Sequence, residues 1–276
     1  EPPFGADYIL VDAMRSQHQA RRFPLTPGAS AWVGVRRVHA LPHPGLSLLL
    51  VRGDGGDDAV LRIGSDLAQR LHARWNVVGT GSDLAHELET HDYDLVVHGR
   101  PPLRAADTAQ GLLRAGKHQL LMLSDRPGTP TRMLLCVNVG ESGKHDVLFA
   151  GRLARHLGLP ATILAVRPTR CTAEEVVQAQ RFLEAGARTL RRFGVEARAR
   201  LQRGEVVTEI LAETRRGRHD LVVVGATQID AEVRLSGLLC ELLGELSDAA
   251  VLLVQSRDSE RRDQAADEYE AAVGFV

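Results

Sequence analysis

Residues 132–255 alternate strand and helix without a break, and the run closes on Asp220-Leu221-Val222-Val223-Val224-Gly225-Ala226-Thr227. A continuous apolar stretch that passes directly into small residues reads as a strand buried on both faces and ending in a tight turn. Strands joined through helices form a parallel sheet with right-handed crossovers, and such sheets take ligands at the carboxyl ends of their strands. The alternation therefore constrains both the fold class, α/β, and the place where a nucleotide-sized ligand would sit.

Within this run, strands are predicted at 133–139, 160–166, 195–201, 221–224 and 250–254. Helices are predicted at 145–157, 172–193, 205–216 and 233–246. The helix at 145–157 rests on apolar residues at helical spacing (Val147, Leu148, Ala150, Leu153, Ala154, Leu157), and Gly158 stops it. The helix at 172–193 has Thr172 as N-cap, glutamates in its first turn and Gly194 after its end.

Residues 47–123 repeat the pattern in shortened form. Strands are predicted at 47–51, 75–78, 95–97 and 119–123, and helices at 58–71, 82–91 and 108–115. Tyr93-Asp94-Leu95-Val96-Val97-His98-Gly99 matches His219-Asp220-Leu221-Val222-Val223-Val224-Gly225, and a helix and an apolar strand follow each. This reads as tandem duplication in which the first copy lacks the long helix and one strand. The expected division is an N-terminal segment at 1–45, a degenerate first repeat at 46–126, a complete second domain at 131–256 and a tail at 257–276. The Pro/Gly cluster at 126–130 serves as linker. The tail begins charged and turns apolar at Ala271-Ala272-Val273-Gly274-Phe275-Val276, a run suited to docking on a surface.

Composition removes several function classes. Charge is nearly balanced, with 34 basic and 35 acidic residues, so no global field draws nucleic acid. The three cysteines, Cys136, Cys171 and Cys240, are far apart and odd in number; they fit reduced thiols in a cytoplasmic protein and not a disulfide framework. No stretch reaches the roughly 18 apolar residues that cross a bilayer. The chain opens without Met, as expected of a processed protein or of a piece cut from a longer one.

Three features carry the resemblance of 132–255 to the universal stress protein (UspA-like) family. They are Leu134-Leu135-Cys136-Val137-Asn138 as a first strand with a polar end, Gly204 six residues before Ile210, and the strand 220–225 followed by a helix and an apolar strand. Residues 47–125 resemble the family more weakly. The resemblance implies tandem open parallel-sheet units of the universal stress, adenine-nucleotide α-hydrolase-like type, the first one truncated. It also implies pairing through the last strands, which places 120–123 beside 251–253. ATP-binding members carry Gly-x-x-Gly-x9-Gly-Ser/Thr after the fourth strand and an Asp at the end of the first. Here Gly225 matches the first glycine, Gln228 replaces the second, Gly237 matches the third only across a one-residue deletion, and Leu238 replaces the hydroxyl. Asn138 replaces the Asp. For a nucleotide, ATP or AMP, the resemblance implies a pocket wall of Asn138, Val139, Gly140, Val166, Gly225, Ala226, Thr227 and Gly237, with backbone at Ala165 and Val166 toward adenine. In the first copy, Gly99 is followed by Arg100-Pro101-Pro102, and proline has no amide hydrogen for a phosphate.

Other motifs read as structure. Gly140-Glu141-Ser142-Gly143-Lys144 is similar to the end of a phosphate loop, but it lacks the leading glycine and the hydroxyl after the lysine; a polar loop capping a helix is the better reading. Residues 52–58 are glycine-rich and acidic without the alternating oxygen ligands of a calcium loop. Eleven histidines are scattered; His98, at a strand end, is the best placed, and it reads as a rim residue. Cys136 should be buried and inert. Arg181, Arg188, Arg191, Arg192 and Arg198 read as a solvated face. No catalytic or metal-binding set is found. The expected function is a non-enzymatic regulatory module acting through protein contacts, as a homodimer or internal pseudo-dimer. It is expected to be cytoplasmic or on the cytoplasmic face of the membrane, where it could serve as the regulatory domain of a transporter or channel. The alternative is an ATP or AMP sensor.

Overall fold

The architecture comes from a computed structural model that describes residues 46–53, 59–101, 104–124, 128–226, 228–229, 232–233 and 235–255. The segment 1–45, most of the acidic loop at 52–58, part of the linker, Thr227 and the tail 257–276 therefore lie outside the described residues.

The apolar runs become strands because both faces of each run are covered. The first four are β1 (Ser47–Arg52), β2 (Arg74–Gly79), β3 (Leu95–Gly99) and β4 (Gln119–Leu123). The others in the main sheet are β5 (Met133–Cys136), β6 (Ala161–Arg167), β7 (Ala197–Arg203), β8 (Leu221–Ala226) and β11 (Ala250–Gln255). Between β8 and β11, β9 (Gln228–Ile229) and β10 (Glu232–Val233) form a separate two-stranded ribbon. The helices are α1 (Ala59–Arg70), α2 (Ser82–Thr90), α3 (Ala105–Arg114), α4 (Glu141–Leu157), α5 (Ala173–Arg192), α6 (Val206–Gly217) and α7 (Gly237–Glu245).

Among the described residues, nine strands make one sheet in the order β2-β1-β3-β4-β11-β8-β5-β6-β7. All neighbours are parallel except β4 and β11, which pair antiparallel with Leu121 opposite Leu252. The runs 120–123 and 251–253 thus lie side by side. One face is covered by α1, α4 and α5 through Ile63, Leu67, Val147, Ala150, Leu183 and Leu190. The other is covered by α2, α3, α6 and α7 through Leu88, Leu113, Val207, Ile210 and Leu242. Alternate residues of one strand serve opposite cores: Met133 and Leu135 face the first group, and Leu134 faces the second. Each such fully buried side chain contributes about 1.5–3 kcal/mol.

The matched sequences at 93–99 and 219–225 do the same structural work. The Asp94 carboxylate accepts from the Ser47 amide (2.9 Å), and the Asp220 carboxylate accepts from the Arg132 amide (2.8 Å). Each aspartate thereby holds the entry of the strand beside it. Each also offers its backbone carbonyl to the next strand, at Gln119 and Ala250.

Local signals set most boundaries. Thr172 and Glu175 form a capping box at the start of α5, and Gly158 ends α4 in the left-handed conformation at φ 68°. Four expectations need correction. The helix predicted at 108–115 starts three residues earlier, at Ala105. The first strand of the second half ends at Cys136 and not at 139, although the Val137 amide still reaches the Leu164 carbonyl (2.9 Å). α4 starts at Glu141, four residues before the apolar stripe that the prediction rested on; its first turn is polar and carries no periodicity. The helix placed at 233–246 starts at Gly237 after the Ser236 N-cap, because Val233 is paired with Gln228 in the ribbon.

Candidate functional site

The carboxyl ends of β5, β6 and β8 lie side by side, with Cys136 opposite Leu164 and Val224. This edge brings together most of the wall expected from the sequence. Asn138 and Gly140 are exposed, Val139, Val166 and Gly225 are half-buried, and Ala165 and Ala226 are buried. Thr227 lies outside the described residues. Gly237 is reached only after the ribbon, as the first residue of α7; a Cβ there would touch nothing within 4 Å, so packing does not require a glycine.

Two glycines of this edge are required by packing. A Cβ on Gly143 would lie 2.0 Å from the Asn138 carbonyl oxygen. The first turn of α4 is thus seated directly on the end of β5. The 140–144 segment is helix from Glu141 onward, with no side-chain cap at Gly140, so the expected polar capping loop is instead the first turn of α4. A Cβ on Gly225 would lie 2.7 Å from Oδ2 of Asp146. The glycine that matches the family's first phosphate glycine here makes room for a carboxyl group of the chain itself.

Asp146 was not singled out in the sequence. It lies on α4, is 4 % exposed, and burial raises its pKa from the ordinary 3.8 to about 8. It is therefore mostly protonated at neutral pH and becomes an uncompensated buried anion above that range. The available signal was its position four residues before Ala150 and eight before Ala154, on the buried stripe of the helix. Glu213 escaped notice for the same reason, three residues after Ile210. It is 3 % exposed and meets Arg200 Nε at 3.2 Å, Arg216 Nε at 2.9 Å and His219 Nε2 at 3.7 Å. Burial lowers the pKa of His219, and Glu213 opposes that shift. Cys136 has intermediate exposure, and its thiol is pushed well above the ordinary range, first by burial and then by the Glu213 carboxylate. Cys136 is the last residue of β5, as a strand residue was expected, but it is half-buried and not fully buried.

In the first half the corresponding strand end is closed differently. His98 is half-buried, its Nδ1 contacts the Gly99 carbonyl, and burial lowers its pKa. Arg100 is 8 % exposed and donates from its guanidinium to the Ala249 carbonyl (2.6 Å), across to the lead-in of β11. A hollow of about 240 Å³, lined by Gly158, Pro160, Gly194 and Glu196 among others, opens at the opposite, amino end of β6 and β7. The arginines at 181, 188, 191, 192 and 198 are all exposed. Among the described residues, no cluster of three His, Cys, Asp or Glu could hold a metal ion, and no helix is long and apolar enough to cross a membrane.

The fold is shared with solved structures. A putative universal stress protein from Pseudomonas aeruginosa UCBPP-PA14 matches over 82 % of this chain and 97 % of its own, at 18 % identity and a TM-score of 0.51. A universal stress protein from Archaeoglobus fulgidus DSM 4304 matches over 77 % of this chain and 97 % of its own, at 11 % identity and a TM-score of 0.52. The fold is that of the universal stress proteins. A protein of unknown function from Pseudomonas aeruginosa PAO1 matches over 83 % of this chain and 97 % of its own, at 18 % identity and a TM-score of 0.52. No model of a known protein family matches the sequence, and no curated protein matches it.

Proposed function

We propose that this chain is a non-enzymatic regulatory module with the universal stress fold, working through protein contacts, whose nucleotide crevice has been given over to internal packing. One observation carries the reading: the Asp146 carboxyl is buried against Gly225 at the strand end where phosphates would have to approach. A buried acid at that point offers a phosphate no cation, and it repels one once ionised. The start of α4 at Glu141 and the ribbon in place of a glycine loop support the same reading. The antiparallel join of β4 to β11 supports treating the two halves as an internal pseudo-dimer. A role as the regulatory part of a membrane transporter or channel belongs to the same proposal, because such a part works by contact and not by catalysis.

The second reading is an adenine-nucleotide sensor. It is favoured by the exposed backbone at Asn138 and Gly140, beside Ala226 and the amino end of α4, where helix amides attract anions. Thermal unfolding of the whole chain with ATP or AMP, with and without magnesium, separates the two. A ligand at a hundred times its Kd would add about 2.7 kcal/mol, which is easily seen as a rise in Tm. The first reading expects no saturable shift. A saturable shift that Asp146→Ala enhances would establish the sensor instead.

A further inference from the structure

Among the described residues, the first half has no counterpart of α5 and β7, and β2 is an edge strand of the sheet. Leu48 pairs with Trp75 and Leu50 with Val77, as Met133 pairs with Ala161 and Leu135 with Ile163. The equivalent positions differ sharply in cover. Ala161 and Ile163 are 4 % and 0 % exposed, and α5 lies close over Ile163, whose Cδ1 would be 3.1 Å from a Cβ on Gly186. Trp75 and Val77 are 47 % and 43 % exposed, and Leu46, on the same face by alternation, is 39 % exposed. These are three of the four large exposed apolar side chains among the described residues. Clustered on one edge, they mark a docking surface and not scattered surface residues.

The course of the chain points to what covers them. β11 runs antiparallel to β4, so the chain leaves the sheet at Gln255 on the side where β1 to β4 begin. The Gln255 amide is bonded to the Gln119 side chain (2.6 Å). Gln119 is level with Leu95, Leu95 with Leu48, and Leu48 with Trp75. The exit and the exposed tryptophan are therefore on one row across the sheet, four strands apart, or about 19 Å. Residues 257–263 are strongly charged, and the apolar run 271–276 starts sixteen residues after Gln255. Even at helical rise, sixteen residues reach about 24 Å, and extended they reach further. The charged stretch is therefore long enough to span the distance from Gln255 to the patch.

We propose that residues 271–276, with Phe275 as anchor, dock on the face formed by Leu46, Trp75 and Val77, supplying from the far end of the chain the cover that α5 gives the second half. The proposal does not depend on whether the crevice takes a nucleotide.

The sequence holds two tryptophans, so Trp32→Phe leaves Trp75 as the sole reporter in the full chain. The expected result is a blue-shifted emission poorly quenched by acrylamide. Phe275→Asp, or removal of 271–276, should shift it to the red and raise quenching severalfold, with the Tm of the sheet nearly unchanged. Val77→Asp, made in the patch, should release the tail and speed tryptic cleavage at Arg261 and Arg262. A Trp75 already open in the full chain would overturn the proposal. So would a protected Trp75 that Phe275→Asp does not expose. Protection that appears only as concentration rises would overturn it in favour of a second copy on the same edge.

Discussion

The two carboxyl-end edges of this sheet, one in each half, are built on the same plan and closed by different side chains. In the second half an acid, Asp146, is buried against Gly225. In the first half a base, Arg100, crosses from the end of β3 to the Ala249 carbonyl. Upstream, the halves are alike to the level of single hydrogen bonds, since Asp94 and Asp220 hold the neighbouring strands in the same way. The difference teaches that the same strand geometry can end in different side-chain packing. The first edge became a tie between halves. The second became a packing site whose charge state depends on pH.

The comparison breaks most sharply at Gly143. Gly143→Val would drive a side chain into the Asn138 carbonyl, and overpacking against backbone costs about 3 kcal/mol or more. Urea unfolding should show a large loss of stability or no folded protein. Next in size is Asp146→Asn. The folded pKa of Asp146 lies near 8, above its ordinary 3.8, so the folded chain holds the proton more tightly than the unfolded one. Its contribution is fully present below about pH 4 and is lost as pH rises through about 8, a change on the order of a few kcal/mol. The asparagine cannot ionise, so its stability profile should be flatter, with the variant overtaking the parent on the alkaline side; chemical unfolding at a series of pH values reads this directly. Arg100→Met should cost about 2 kcal/mol, the worth of a buried charge-assisted hydrogen bond. Its effect should be nearly independent of pH over the range in which Asp146 titrates. The smallest effect belongs to Gly99→Ala. A Cβ there meets only Val60 Cγ2 at an ordinary 3.5 Å, so a shift within about 0.5 kcal/mol is expected. A larger loss would mean that the first edge is packed as tightly as the second.

The elements themselves were legible in the sequence wherever a local rule decided them. Buried strands such as 221–224 and 119–123 are apolar runs, and no other local structure hides both faces of such a run. Thr172 with Glu175, and Gly158, mark helix ends through hydrogen bonds and backbone angles that involve only near neighbours. The first turn of α4 and the ribbon at 228–233 were missed because their residues are polar and show no period; what places them is contact with Asn138 and between Gln228 and Val233.

The sequence by itself determined the α/β class, the succession of strands and helices, and the loss of glycines and a hydroxyl from the phosphate motif, because each is written in neighbouring residues. Only the tertiary structure decided that β4 and β11 run antiparallel, that Gly225 lies against Asp146, that Arg100 reaches Ala249, and that Trp75 is half exposed among the described residues while Ile163 is covered. These pairs are separated by dozens of residues or more, or depend on an element that one half lacks. Burial and charge at such places are properties of what packs against a side chain, and no local pattern specifies the partner.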